Sequence, residues 1–452
     1  MNTIDLSKKW LAILLFLPAF LSAQTIADKA DSLLSAYHKQ DLFTGTVLIA
    51  QGNKIVFERS YGMANREKQT KINAQTQFRI GSITKPVTAM IILQLKDKGL
   101  LKLNDPLSKY IPGIPNGDSA TIENLLNHTS GIKSLTSTEK YRKDKLQIKT
   151  KEDLINILKA EPAVFSAGTK WQYSNSNFIL LGYIAEQVTG KSFSKLIDEF
   201  SSEIGMKQTG LDQDSRTAKN KALGYEAGAI EDYQPVPDIN IDIIAGAGGM
   251  YSTARDLYKL DRALYTNSIL PDSTKSQMFA ARKGNYGLGW ETETYNNKIE
   301  LGHSGSIEGF KAQILRYPET ETCIIFLSNY FNTRGPQICE ALKAIAFNQP
   351  YKLPEPKNFV KLSEKELTNY EGTYSFNGGM KMDLKSSSGV LLSIIKGQPV
   401  VGFKPLSEKD FYNKSNNSEM EFIKDANGVI KSFKLKMGKQ EMEWVKVQES
   451  LP

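Results

Sequence analysis

The sequence predicts an α/β chain in two parts. A mixed domain gathers one sheet from distant stretches of chain, and a small antiparallel β-barrel follows it. Three observations carry this. β-rich segments at 46–60 and 286–328 bracket residues 120–280, which read mostly as helix and loop, so the two ends must meet in one sheet. Asn348 to Lys357 contains Pro350, Pro354 and Pro356, the composition of a linker. Beyond it, residues 365 to 448 alternate apolar and polar positions between turn signals such as Asn377-Gly378 and Asn427-Gly428, the spacing of a small barrel.

Taken in order, Ile26 to His38 has the periodicity of an amphipathic helix. Thr46 to Ala50 and Lys54 to Ser60 flank Gln51-Gly52-Asn53 and read as a hairpin. Val87 to Leu95 is apolar nearly all round and is stopped by Gly99, so it belongs in the interior. Phe178 to Gln187 is a second apolar helix. Strands are expected at Tyr286 to Glu293, Lys298 to Gly302, Phe310 to Tyr317 and Glu321 to Ser328, followed by a helix from Gln337 to Phe347.

The chain has 452 residues, 40% hydrophobic and 23% charged, with 50 Gly and Pro together, values that exclude a disordered, collagen-like or coiled-coil protein. Its net charge of +8 is modest for this length, and no nucleic-acid motif accompanies it, so no nucleic-acid partner is expected. The densest basic stretch, Lys133 to Lys151, is interrupted by Glu139 and Asp144 and reads as a solvated surface. Two cysteines and three histidines are too few for a disulfide scaffold or a Cys- or His-rich metal centre. Cys323 in a strand and Cys339 in a helix are expected as two buried apolar thiols.

Lys8 and Lys9 precede a 12-residue apolar run, Trp10 to Leu21, and then Ser22-Ala23. The run is short of the roughly 20 residues of a membrane span, and its flanks fit a secretory signal cut after Ala23. The mature protein is therefore expected to be periplasmic or secreted, with no stable membrane anchor. The expected organisation is a signal peptide at 1–23, the mixed α/β domain at 24–347, a linker at 348–360 and the barrel domain at 361–452.

A serine nucleophile needs a base beside its hydroxyl, and a lysine three residues on along a helix can supply one. Ser-x-x-Lys occurs five times, at Ser82, Ser130, Ser137, Ser192 and Ser393. Only Ser82-Ile83-Thr84-Lys85 heads the buried helix, where desolvation would turn Lys85 into a free base. Its alternative is a capping role for Ser82 or Thr84. Ser192 reads as a helix cap, and Ser393 lies on a strand whose i and i+3 positions face opposite ways. Tyr173-Ser174-Asn175 precedes the second apolar helix, and His303-Ser304-Gly305 ends a predicted strand.

Phe78-Arg79-Ile80-Gly81-Ser82-Ile83-Thr84-Lys85, Leu125-Leu126-Asn127-His128-Thr129-Ser130-Gly131, Tyr173-Ser174-Asn175, Tyr286-Gly287-Leu288-Gly289-Trp290 and Gly302-His303-Ser304-Gly305 follow one another in an order that resembles the penicillin-recognising serine hydrolases, above all the class C β-lactamase and DD-peptidase-related group. The resemblance spans about residues 30 to 347. It implies a β-lactamase-like mixed domain, an antiparallel sheet flanked by helices with an all-helical subdomain. Residues 365 to 448 resemble the lipocalin-like barrel that some members append.

The resemblance implies that Ser82 is the acylated nucleophile, Lys85 its base and Tyr173 the proton relay. Asn175, His303, Gly305 and Ser306 would contact substrate, with the backbone N–H groups of Ser82 and Ser306 as an oxyanion hole. Position 303 departs from the many relatives that carry lysine there to hold a substrate carboxylate. A histidine is mostly neutral at pH 7 and would gain charge only below about pH 6.5. This demotes β-lactamase and DD-carboxypeptidase activity and leaves esterase, D-aminopeptidase, amidase or endopeptidase activity. The expected protein is an exported serine hydrolase with a small-molecule or peptide substrate and no metal or organic cofactor. A non-catalytic cell-wall-peptide binding protein is its rival, and the oligomeric state stays open.

Overall fold

The structure is a computed structural model that describes residues 24–144, 150–212, 220–237 and 241–447. The secretory-signal segment lies outside the described residues, as do Lys145 and Lys149 of the basic stretch.

Helix α1 (Ile26–Lys39) starts at a Thr25–Asp28 capping box and runs into the hairpin of β1 (Gly45–Gln51) and β2 (Lys54–Tyr61). The buried helices are α2 (Thr84–Asp97) and α3 (Asn175–Thr189). Late in the domain come β3 (Glu291–Tyr295), β4 (Lys298–Ile307), β5 (Phe310–Tyr317) and β6 (Thr322–Ser328), then α4 (Gly335–Ala346). The sheet order is β3-β4-β5-β6-β1-β2, so its first and last strands in sequence meet as expected. β1 pairs antiparallel with β6 from Gly45↔Ser328 to Gln51↔Thr322.

Period-two alternation sorts these central strands between two cores. Val47, Ile49, Ile324 and Phe326 face α1 and α4, while Leu48, Ala50, Ile325 and Leu327 face α2, α3 and the helical region. The sheet thereby separates the two cysteines. Cys323 joins the inner core and Cys339 the outer one, both as free buried thiols.

Two local expectations change. Tyr286 to Trp290 is not a strand, because Gly289 adopts φ +82° and threads the chain against α2, where an added Cβ would meet that of Ala89 at 2.5 Å. β3 therefore begins only at Glu291. β4 runs on to Ile307, which places His303 within a strand rather than at its end.

The C-terminal part is a closed antiparallel barrel of eight strands. These are β7 (Gly372–Phe376), β8 (Met380–Ser387), β9 (Val390–Ile394), β10 (Val401–Pro405), β11 (Asp410–Asn413), β12 (Ser418–Lys424), β13 (Ile430–Met437) and β14 (Gln440–Lys446). β14 returns to β7 at Tyr374↔Lys446. Tyr374, Phe411, Phe422, Phe433 and Trp444 fill the interior, so this barrel has a core of its own. Among the described residues no helix is long and apolar enough to cross a membrane.

Candidate active site

Ser82 lies in a single 3₁₀ turn, Gly81–Ile83, that leads directly into α2. Gly81 has φ +51°, and a Cβ there would come within 2.8 Å of the Ser306 nitrogen. Only glycine lets the Ser82 segment lie this close to β4. Neither proposed cap forms. The residue before α2 is Ile83, with no side-chain cap, and the Thr84 hydroxyl accepts the Met250 N–H at 3.2 Å. Thr88 donates to the Gly246 carbonyl at 2.7 Å, so α2 is tied at two points to the segment 246–250.

Lys85 is fully buried in the first turn of α2. Its Nζ is 2.9 Å from Ser82 Oγ, 2.9 Å from Asn175 Oδ1 and 2.7 Å from the Ala247 carbonyl. Burial moves its pKa well below the usual lysine range, partly opposed by the Glu291 carboxylate. A neutral amine has two N–H bonds and a lone pair. With Ala247 and Asn175 accepting the hydrogens, the lone pair is left for the Ser82 hydroxyl.

The Tyr173 phenol lies close enough to feel the Ser82 hydroxyl, and its ring centroid is 4.9 Å from Lys85 Nζ. Burial raises the phenol's pKa, so it is held as O–H. Asn175 opens α3, and Thr136 holds its amide through a 3.1 Å bond from Nδ2. Beneath Tyr173, the His128 ring packs at 4.3 Å between centroids, and its Nδ1 accepts the Ser174 N–H at 3.2 Å.

A cavity of about 470 Å³ has Ser82, Asn175 and Ser306 in its wall, together with Glu226, Glu308 and Phe331. A cleft of about 500 Å³ lies between the domains, lined by Asp41, Arg334 and Lys414 among others, and holds none of the motif residues.

His303 and Gly305 do not face the cavity as expected. His303 is 1% exposed, and both ring nitrogens are engaged, Nε2 at 2.8 Å from the Tyr286 hydroxyl and Nδ1 at 2.6 Å from the Ser304 carbonyl. Burial, then the nearby Lys85, lowers its pKa to about 3, so it stays neutral where the sequence reading had it gain charge. Gly305 packs on Ile80, whose carbonyl a Cβ would meet at 2.0 Å. The group that does titrate nearby is Glu291, missed by the sequence reading. Its carboxyl accepts the Ser304 hydroxyl at 3.4 Å, and burial followed by repulsion from Glu293 pushes its pKa up to about 7.

Lys311 was also missed. Its Nζ donates to Ser306 Oγ at 2.8 Å and lies 4.0 Å from the Phe331 ring centroid, so it braces two wall residues at once. The other competing serines lie elsewhere. Ser130 donates to Asn177 at 2.7 Å, and Ser192 caps its helix by accepting the Lys195 N–H.

Residues 27–346 match the beta-lactamase family. The chain is 28% identical over 418 residues to penicillin-binding protein 4* of Bacillus subtilis, covering 86% of this chain and 92% of that one. It superposes on a penicillin-binding protein from Bacillus halodurans with a TM-score of 0.63 and 25% identity, over 69% of this chain and 98% of that one. A D-stereospecific amidohydrolase from Streptomyces sp. gives a TM-score of 0.60 at 25% identity, over 69% of this chain and 97% of that one. A chain that matches across its whole catalytic domain, and carries a serine and a buried lysine at the head of one helix, belongs to the beta-lactamase family of serine hydrolases.

Proposed function

We propose that the protein is an exported serine hydrolase that forms an acyl-enzyme on Ser82 with esters or amides. D-amino-acid amides and peptides are the leading class, by analogy with the D-stereospecific amidohydrolase. The observation that carries the reading is the buried Lys85 amine 2.9 Å from Ser82 Oγ. Export rests on the apolar run Trp10 to Leu21 behind Lys8 and Lys9.

In this mechanism Ser82 Oγ attacks the substrate carbonyl carbon as its proton passes to Lys85 Nζ. The carbonyl oxygen becomes an oxyanion between the N–H groups of Ser82 and Ser306, whose loss would cost about 3–4 kcal/mol each in the transition state. The Tyr173 hydroxyl gives its proton to the leaving nitrogen or oxygen, and that bond breaks. Tyr173 recovers a proton from Lys85. A water then attacks the acyl carbon, giving one proton back through the same pair, and Ser82 leaves as the hydroxyl. In this reading Asn175, which lines the cavity and donates from Nδ2 to Thr136, would give an amide hydrogen to a substrate carbonyl.

Labelling of wild type and Ser82→Ala with a fluorophosphonate and a fluorescent penicillin tests this. The reading predicts a fluorophosphonate adduct on wild type and none on Ser82→Ala, and weak or absent penicillin labelling marks the amidase or esterase branch. Adducts that survive in Ser82→Ala contradict it.

A further inference from the structure

We infer that the C-terminal barrel supports one wall of the active-site cavity from behind, and that Lys404, acting through Asp232, is a positioning residue for Glu226 and Phe331. The inference rests on Ser82 marking the active site. Glu226 belongs to a two-residue strand, Tyr225–Glu226, paired with Gln234–Pro235. So short a hairpin has little stability of its own. Its loop is instead held by the barrel. Lys404 on β10 donates to both Asp232 carboxylate oxygens at 3.0 Å. Lys414, after β11, lies 3.5 Å from the same carboxylate and 3.4 Å from that of Asp41. The fit is close in the backbone as well, since a Cβ on Gly402 would come within 1.7 Å of the Ala229 carbonyl.

A second thread reaches Phe331. The Tyr225 N–H donates to the Asn329 carbonyl at 3.0 Å, and the Phe331 N–H to the Tyr225 carbonyl at 2.8 Å, so hairpin and Phe331 move as one piece. Asn332 then bridges that piece to the barrel. Its Oδ1 accepts the Ala227 N–H at 2.8 Å, and its Nδ2 donates to the Ser415 carbonyl at 3.1 Å. Phe331 in turn covers Lys311, which holds Ser306. The wall nearest the oxyanion strand is thus two contacts from a second domain, while Ser82, Lys85 and Tyr173 have no partner in the barrel among the hydrogen bonds and ring contacts described above. The barrel should therefore set how an extended substrate is held and leave the acylation chemistry alone.

Two readouts test this on the full chain. The first is amide hydrogen exchange at Ala227 and Phe331 in wild type, Lys404→Glu, Lys404→Arg and Asn332→Ala. Protection should fall in Lys404→Glu and Asn332→Ala and persist in Lys404→Arg, and unchanged protection in Lys404→Glu overturns the inference whatever Ser82 does. The second compares a small phosphonylating probe, diisopropyl fluorophosphate, with a fluorophosphonate bearing a long alkyl-biotin tail. A surface pair worth up to 1 kcal/mol should shift the half-saturating concentration of the long probe by about threefold to fivefold in Lys404→Glu. The small probe's rate should stay within about twofold, and Lys404→Arg should match wild type. Equal losses for both probes, or an arginine variant that behaves like the glutamate one, contradict a positioning role.

Discussion

The active-site cavity has two unlike walls. The chemical wall is built from short motifs at helix starts, Ser82-Ile83-Thr84-Lys85 on α2 and Tyr173-Ser174-Asn175 before α3, buried and cross-braced by side-chain hydrogen bonds of 2.7 to 2.9 Å at Lys85. The second wall, Glu226, Glu308 and Phe331, comes from a minimal hairpin and two turns flanking the sheet, and part of it is held by the barrel. The difference separates two tasks. In the proposed mechanism the first wall fixes proton positions through local geometry, and the second shapes the space around the substrate through contacts far apart in sequence.

If that division is right, variants of the first wall lose rate, and variants of the second lose discrimination. The largest effect belongs to Lys85→Ala. Removing the base that takes the Ser82 proton should slow acylation by about 10²–10⁴-fold, measured as the rate of fluorophosphonate labelling. Tyr173→Phe comes next. It keeps the ring that packs on His128 and removes only the hydroxyl, so a loss of about 10²-fold in turnover with a steady Tm would assign the effect to proton transfer. Near-normal turnover would return Tyr173 to a packing role.

Glu291→Gln tests the electrostatics around Lys85. An ionised Glu291 stabilises the protonated form of Lys85, so its removal lowers the lysine pKa further. Acylation needs the neutral amine, and the acid limb of the kcat/KM profile should therefore move to lower pH in Glu291→Gln. The wild-type preference for a methyl ester over its free acid should grow as pH rises through about 7, where Glu291 becomes anionic beside Ser304, and should flatten in the variant. A profile unmoved by the substitution would remove Glu291 from the site's electrostatics. His303→Asn, by contrast, should leave that pH dependence in place, because the imidazole is already neutral throughout. The smallest effect is that of Ser192→Ala, which should cost about 1 kcal/mol of stability as a lost helix cap and leave labelling intact.

The same contrast decides what was legible in the sequence. The sheet's strands, the buried helix and the barrel's turns announce themselves through periodicity and Gly-containing turns, and the chemical wall through spacings of two and three residues within one element. Lys85 could be read as buried because the helix around it has no polar face. The position of His303 could not be read, because its neutrality well below pH 6.5 comes from burial beside Lys85, in a site where Tyr286 engages its second ring nitrogen. Glu226, Phe331 and Lys311 carry no local signal. Glu226 and Phe331 meet through Tyr225 and are tied to the barrel by Asp232 and Asn332, Lys311 joins them by packing on Phe331, and nothing in a two-residue strand marks it as part of a site.

The central claim is a covalent intermediate on Ser82 made by the Lys85 base. Its most direct test is acid-quenched reaction with p-nitrophenyl acetate, followed by peptide mass analysis of wild type, Ser82→Ala and Tyr173→Phe. The account predicts one acetyl group on the peptide containing Ser82 in wild type, more of it in Tyr173→Phe as deacylation slows, and none in Ser82→Ala. An acetyl group on another residue that turns over at the same rate in Ser82→Ala would contradict it.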